Sequence, residues 1–276
     1  MSDRVEQHIQ APTDCFGVGR EGLCRRLKPM YGPGVLSSAG RAHGAAAPRR
    51  YAHGMDATAI TIPVHGSETV SGLWQAPPKA KACLVLAHGA GVGMRHASMT
   101  AIADGLADRG VATLRYQFRY MERGSKRVDP PPIAHAAVRA AVAEARKRAG
   151  ATPLFAGGRS FGGRMTSQAQ ALAPLEGVRG LVFFAFPLHP AGKPSVDRAA
   201  HLSAIAIPML FLQGAADALA DVDLLTRTVS ALGPRGSLSL IDFADHAFHA
   251  PAKTGRKDAD VLAEILDIAA AWMAER

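Results

Sequence analysis

Three runs in this 276-residue chain are apolar from end to end: Ala82 to Ala87, Leu181 to Phe186 and Pro208 to Leu212. A strand exposed on one side alternates apolar and polar residues, so an unbroken run of five or six implies a strand buried on both faces. Segments with helical periodicity lie between them. Met99, Ile102, Ala103 and Leu106 share one helical face, and Gly110 closes that helix. Pro130-Pro131-Pro132 opens a helix from Ile133 to Arg148 with Val138 and Val142 inward, ended by Gly150. Asp221 to Leu232 reads as a helix, and a final helix turns Val261, Leu262, Ile265, Ile268 and Trp272 to the core. Further strands are expected at Thr58–Val64 and Val70–Trp74 (a leading hairpin), Val111–Tyr116, Pro153–Ala156 and Ser237–Ile241. Pro63 confines the first of these to an edge. Strands alternating with helices predict an α/β domain: a mostly parallel twisted sheet covered on both faces.

That domain begins at Met55. Residues 1–54 are rich in Gly, Ala, Arg and Pro and lack apolar periodicity after Leu27, which predicts a flexible or disordered extension, with Met55 a candidate for the native start. The same residues supply +4 of the net charge of +9, and the rest is spread over residues 55–276 without a basic run interleaved with aromatics. Nucleic-acid binding is therefore disfavoured, and a basic surface suited to anionic substrates fits equally well. No apolar stretch is long enough for a transmembrane helix, and the N-terminus lacks the basic-then-apolar build of a secretory signal. Cys15, Cys24 and Cys83 form no metal-ligand spacing, so a reducing cytoplasm is the expected compartment, with Cys83 a buried small hydrophobe.

Between the expected strand ending at Ala156 and a segment able to form a helix lies Gly158-Arg159-Ser160-Phe161-Gly162. A serine on so sharp a strand-to-helix turn has its hydroxyl thrust out at the sheet's edge, and side chains at Gly158 or Gly162 would collide with neighbouring backbone. Alone, the pattern also describes a glycine-rich turn that binds a phosphate or nothing. A serine nucleophile needs a base, and the base needs an orienting acid. On a turn of this kind the two follow in the order acid, then histidine. Asp217 lies just beyond the strand Pro208–Leu212, at the carboxyl edge where such sheets keep their chemistry. Its competing role is a helix cap, and Asp221 and Asp223 are rivals for the acid. His246 lies beyond the last strand, with His249 as its rival and Asp245 as a decoy acid. For the oxyanion, the backbone N–H of Phe161 is one expected donor, and Ala90 or Gly91 in the loop His88-Gly89-Ala90-Gly91 is the other. His88 is expected to shape that loop rather than act as base.

The motifs L-A-H-G-A-G (86–91), R-Y-Q-F-x-Y-M-E (115–122), G-G-R-S-F-G-G-R-M (157–165), L-Q-G-A-A-D (212–217) and D-H-A-F (245–248) resemble those of α/β-hydrolases of the dienelactone-hydrolase-like branch. The likeness covers about residues 55–276. It is narrowest to a group of small bacterial hydrolases whose animal relatives include a testis-expressed protein and a subunit of a histone-acetyltransferase complex. The resemblance implies an α/β-hydrolase fold, Ser160, Asp217 and His246 as a catalytic triad, and acyl transfer through an acyl-enzyme with no metal or organic cofactor. Dienelactone hydrolase itself uses cysteine where this chain has serine, so its substrate does not carry over. A small ester or thioester is the expected substrate.

Arg95, Arg115, Arg119, Arg159 and Arg164 flank segments that approach the strand ends. They could fork a carboxylate- or phosphate-bearing ester, with Arg95 and Arg159 as the leading candidates, or pair internally with acids such as Glu122. Tyr116, Phe118 and Tyr120 either line the cleft, Tyr116 foremost, or pack beside the sheet. The stretch from Phe186 to Pro208 is too short for a large cap domain, so an open cleft is expected. The competing function is a catalytically weak α/β-hydrolase fold serving as a protein-binding module. A triad with every role filled favours the enzyme.

Overall fold

A computed structural model describes Val35–Leu36 and residues 56–276. The expected extension 1–54 therefore falls almost wholly outside the described residues. The sheet runs in the order β1-β9-β8-β7-β6-β4-β5-β3-β2. Its strands are β1 (Val35–Leu36), β2 (Thr58–His65), β3 (Glu68–Gln75), β4 (Ala82–Ala87), β5 (Val111–Tyr116), β6 (Leu154–Arg159), β7 (Val178–Phe184), β8 (Met209–Gly214) and β9 (Gly236–Ile241). Pairing is parallel from β1 through β5 and antiparallel for β5 with β3 and for β3 with β2. The edge position of β2 suits Pro63, which cannot donate to a ladder. The two-residue strand β1 pairs with β9 at the other edge, inside a stretch that composition marks as flexible.

The apolar runs divide their side chains between the two faces. In β4, Cys83, Val85 and Ala87 join one core, while Ala82, Leu84 and Leu86 join the other. In β7, Leu181 and Phe183 face the first core, Val182 and Phe184 the second. Helices α3 (Pro131–Ala149), α4 (Phe161–Leu172) and α5 (Val222–Ser230) pack on the first face. Helices α1 (Ala97–Ala107) and α6 (Asp258–Ala274) cover the second. A short helix α2 (Arg119–Glu122), absent from the sequence expectations, follows β5. Cys83 is fully buried, and its desolvated thiol is pushed up to about 12, so it is inert packing.

The face of α6 differs from expectation. Leu266, Ala269 and Met273 are buried, while Leu262 and Ile268 are only partly covered. The reason is steric: Leu266 sits on Gly105 of α1, where an added Cβ would lie 2.3 Å from its Cδ1. Trp272 likewise covers Gly180 of β7, where the corresponding approach is 2.7 Å. Periodicity weights large residues and so misses a face set by the glycines opposite. No helix among the described residues is long and apolar enough to cross a membrane.

Strand order reverses at β4. From it the chain passes to β5 on one side and to β6 on the other, which opens a crevice at their carboxyl ends.

Candidate active site

Ser160 stands in that crevice as the residue between β6 and α4, with φ +50° and ψ −116°. A non-glycine residue held there costs about 1–3 kcal/mol and persists only where its surroundings over-determine it. Here they do. A Cβ on Gly158 would lie 2.4 Å from the Ala87 carbonyl oxygen, and one on Gly162 would lie 2.5 Å from that of His88. The glycines let the β6–α4 turn press against the end of β4, as their spacing predicts. Thr166 Oγ1 donates to the Gly162 carbonyl (2.9 Å) and ties the first turn of α4.

Three loops converge on the serine. Ser160 Oγ donates to His246 Nε2 at 2.8 Å, and His246 Nδ1 donates to Asp217 Oδ2 at 2.7 Å. An ionised carboxylate only accepts, so Nδ1 carries the proton and Nε2 presents its lone pair to the hydroxyl. The Asp217 side chain is fully buried, whereas that of His246 is 27 % exposed. Asp217 also accepts from Leu219 N–H (2.8 Å) and from Gln213 Nε2. It thus turns its own loop and orients the imidazole at once, while the helix cap weighed for it from sequence falls to Asp221. Gly214 lets the β8 and β9 loops meet, since a Cβ there would lie 2.3 Å from the Ala244 carbonyl oxygen.

Of the rivals, Asp223 lies exposed in the first turn of α5, and the other three are engaged elsewhere. Asp221 caps α5 by accepting from Leu224 N–H at 2.8 Å. Asp245 accepts from the N–H groups of Ala247 (2.7 Å) and His249 (3.0 Å), folding the loop that carries His246. His249 pairs with Asp258 at 2.9 Å. Gln213 was not anticipated; its signal is a lone amide closing an apolar strand, four residues before Asp217. Gln213→Leu is expected to lower kcat/KM for a small ester by about 10- to 100-fold at unchanged fold, because it removes a hydrogen bond to a charged group. Steady-state kinetics beside circular dichroism checks this.

Phe161 occupies the first position of α4, where a helix leaves its N–H unpaired, and the loop carrying Ala90 and Gly91 leaves β4, the strand paired with β6, so close to the serine that a Cβ on Gly89 would lie 3.8 Å from Ser160 Cβ. Both loop residues are exposed, and Gly91 has φ +75°. His88 holds this loop. It is fully buried, its Nδ1 donates to the Gly89 carbonyl (2.8 Å), and its Nε2 accepts from Phe118 N–H (3.0 Å). Gln117 Oε1 adds a bond from Met94 N–H at 2.9 Å. The R-Y-Q-F-x-Y-M-E segment therefore positions the loop after β4. Burial lowers the His88 pKa from 6.5 to about 4, so the imidazole is neutral in the folded protein. Between those values the unfolded chain binds a proton that the folded one does not, and stability falls as pH drops through that window. The loss attributable to His88 is about 3 kcal/mol at pH 4. Urea titrations at pH 7.5 and 4.5 are expected to show a smaller gap in His88→Gln than in wild type.

Tyr116 corrects an expectation. It does not line the cleft but lies fully buried on the α3–α4 side of the sheet, in edge contact with Phe118 at 5.2 Å. Arg95 is exposed and lines a separate hollow of about 350 Å³ with Asp56, Leu73, Thr100, Asp104 and Arg115. Arg115 is buried beneath it, donating to Thr100 Oγ1 (2.9 Å) and Gln75 Oε1 (3.1 Å). Arg119 pairs with Glu68. Arg159 adjoins Ser160, but it donates to Ser98 Oγ (2.8 Å) and lies within the field of Asp245 and Asp217.

Residues 80–274 match the family model of the alpha/beta hydrolase domain. The chain belongs to the alpha/beta hydrolase family. Solved structures agree on the fold. A dienelactone hydrolase from Anabaena variabilis is 19% identical over 81% of this chain and 99% of its own, with a TM-score of 0.64. A lidless serine hydrolase from Xanthomonas campestris is 21% identical over 79% and 95%, with a TM-score of 0.59. Est1E from Butyrivibrio proteoclasticus, solved with ferulic acid bound, is 16% identical over 75% and 98%, with a TM-score of 0.56. In this alpha/beta hydrolase the segment between β7 and β8 holds only a 3-10 helix, Asp197–Ala204, and no cap domain.

Proposed function

We propose that this alpha/beta hydrolase is a serine esterase that cleaves small carboxylic esters or thioesters through an acyl-enzyme. The observation that carries the reading is the unbroken hydrogen-bond chain from Asp217 through His246 to a strained Ser160. In the first step Ser160 Oγ bonds to the substrate carbonyl carbon while its proton passes to His246 Nε2. The imidazolium that forms is stabilised by the buried Asp217 carboxylate. The oxyanion is received by the N–H of Phe161 and that of Ala90 or Gly91, aided by the positive end of the α4 dipole. Collapse breaks the bond to the leaving oxygen or sulfur, which takes the proton from His246. Water then repeats the sequence on the acyl-enzyme and frees Ser160.

The absence of a cap between β7 and β8 among the described residues supports an open cleft and short acyl groups. The test is covalent labelling of wild type with a fluorophosphonate, followed by peptide mapping, alongside turnover of p-nitrophenyl acetate. Labelling at Ser160 that is lost in His246→Ala, with saturable turnover, is expected. A folded protein that neither labels nor turns over would overturn the reading in favour of a protein-binding module.

A further inference from the structure

Arg164, in the first turn of α4, has an Nε atom that is buried without a hydrogen-bond partner. The charge that acts on it is another cation, Arg198 of the 3-10 helix Asp197–Ala204. Among the described residues neither guanidinium enters an ion pair. One turn further along both elements, His201 and Ser167 close the gap at 2.7 Å. Ser167 Oγ spends its proton on the Arg164 carbonyl (2.9 Å), so the contact is donated by His201 Nε2–H. His135 of α3 completes the wall, 8 % exposed and 3.3 Å from Gln168 Oε1. The charges bearing on His135, Arg164 and His201 come from Arg139, Arg164, Arg198 and His135, and no carboxylate is among them. Arg139 is already committed to the carbonyls of Ala169 and Ala173.

This arrangement opposes stability. A half-buried guanidinium without a full set of partners bears a desolvation cost, and a second cation beside it adds repulsion. A cation in the first turn also opposes the helix dipole. Arg115 shares an orphaned Nε, but its other nitrogens donate to Gln75 and Thr100 and the Asp104 carboxylate acts on it, and Arg109 has Asp267. An anion between Arg164 and Arg198 would remove all three penalties. The place is close to the chemistry. Arg164 is one turn along α4 from Ser160, with its N–H on the Ser160 carbonyl at 3.1 Å. Helical side chains lean toward the N-terminus, which here means toward Ser160. The leaving group must sit beside His246 to be protonated, so the acyl arm is the part of the substrate free to extend along α4.

We propose that Arg164 and Arg198, floored by the Ser167–His201 pair, form a specificity site for a carboxylate at the far end of the substrate's acyl arm. The preferred substrates are then half-esters or half-thioesters of short dicarboxylic acids. The proposal rests on the acyl-transfer reading for its substrate and on the arginine pair for its anion site, and two measurements separate them. The first compares kcat/KM for p-nitrophenyl hydrogen succinate with that for the equally long p-nitrophenyl butyrate. Wild type is expected to favour the succinate by about tenfold or more, and Arg164→Gln or Arg198→Gln to bring the ratio close to one. Arg227→Gln, on exposed α5, is the charge-matched control and keeps the wild-type ratio. The second is calorimetric titration of the folded proteins with succinate, which needs no turnover. Binding to wild type that weakens at least tenfold in both variants supports the site. Hydrolysis of both esters at equal efficiency, or succinate binding indifferent to both substitutions, overturns it. Absence of turnover with arginine-dependent succinate binding intact would overturn the esterase reading and leave the anion site standing.

Discussion

Ser160→Ala is expected to lower kcat/KM for p-nitrophenyl acetate by about 10⁴-fold or more while unfolding with the wild-type midpoint. The variant keeps the proposed oxyanion donors, the helix dipole and the cleft, so the residual rate measures what those supply without a nucleophile. Alanine still has to hold φ +50°, so the elbow's strain is unchanged and a stability effect is not expected. Asp217→Asn is expected to approach the same loss by a different route. An amide presents an N–H toward the imidazole and favours the tautomer with the proton on Nε2, where it cannot accept from the serine. Its fluorophosphonate labelling slows with its turnover. Single-turnover kinetics on both variants is the measurement, and wild-type turnover by folded Ser160→Ala would place the chemistry elsewhere.

Gly157→Ala is expected to cost more than about 3 kcal/mol and to leave little folded protein. Its Cβ would lie 1.8 Å from the Val182 carbonyl oxygen, which is backbone of the adjacent central strand β7. Relief requires β6 and β7 to separate, and that breaks the ladder supporting the serine elbow. Against a total stability of about 5–15 kcal/mol the loss is a large fraction. Gly192→Ala is the contrasting case. Nothing lies within 4 Å of its Cβ, and only its φ of +69° is unfavourable, so roughly 1–2 kcal/mol is expected. Urea unfolding of the two variants compares backbone collision with backbone strain. A Gly157→Ala protein that unfolds at the wild-type midpoint would show that the β6–β7 spacing is softer than it stands.

The two effects meet at one element. The glycines around Ser160 admit the close backbone approach, and that approach holds the serine at φ +50°, the conformation on which the proposed chemistry depends. His88 and the segment after β5 hold the facing loop from the other side of the same crevice.

Sequence alone determined the parts whose cause is local. Unbroken apolar runs require burial on both faces, Gly158 and Gly162 mark a turn too tight for a side chain, and Asp217 and His246 follow strands in the chain order expected of acid and base on an α/β-hydrolase fold. Tertiary structure decided what local pattern cannot encode. A run apolar on both sides carries no signal of which side a given residue faces, so Tyr116 could be read toward the cleft when it points into the α3–α4 core. The face of α6 depended on glycines in α1 and β7, far away in sequence. Gln213 gained its role only when Asp217 folded back over it, and Asp245, Asp221 and His249 lost their claims only when their own partners came into reach. The arginines show the limit most clearly. Five looked alike in sequence, yet the fold gave Arg115, Arg119 and Arg159 partners and set Arg164 against Arg198. A guanidinium's role depends on the charges within a few ångströms of it, and only the folded chain brings those charges together.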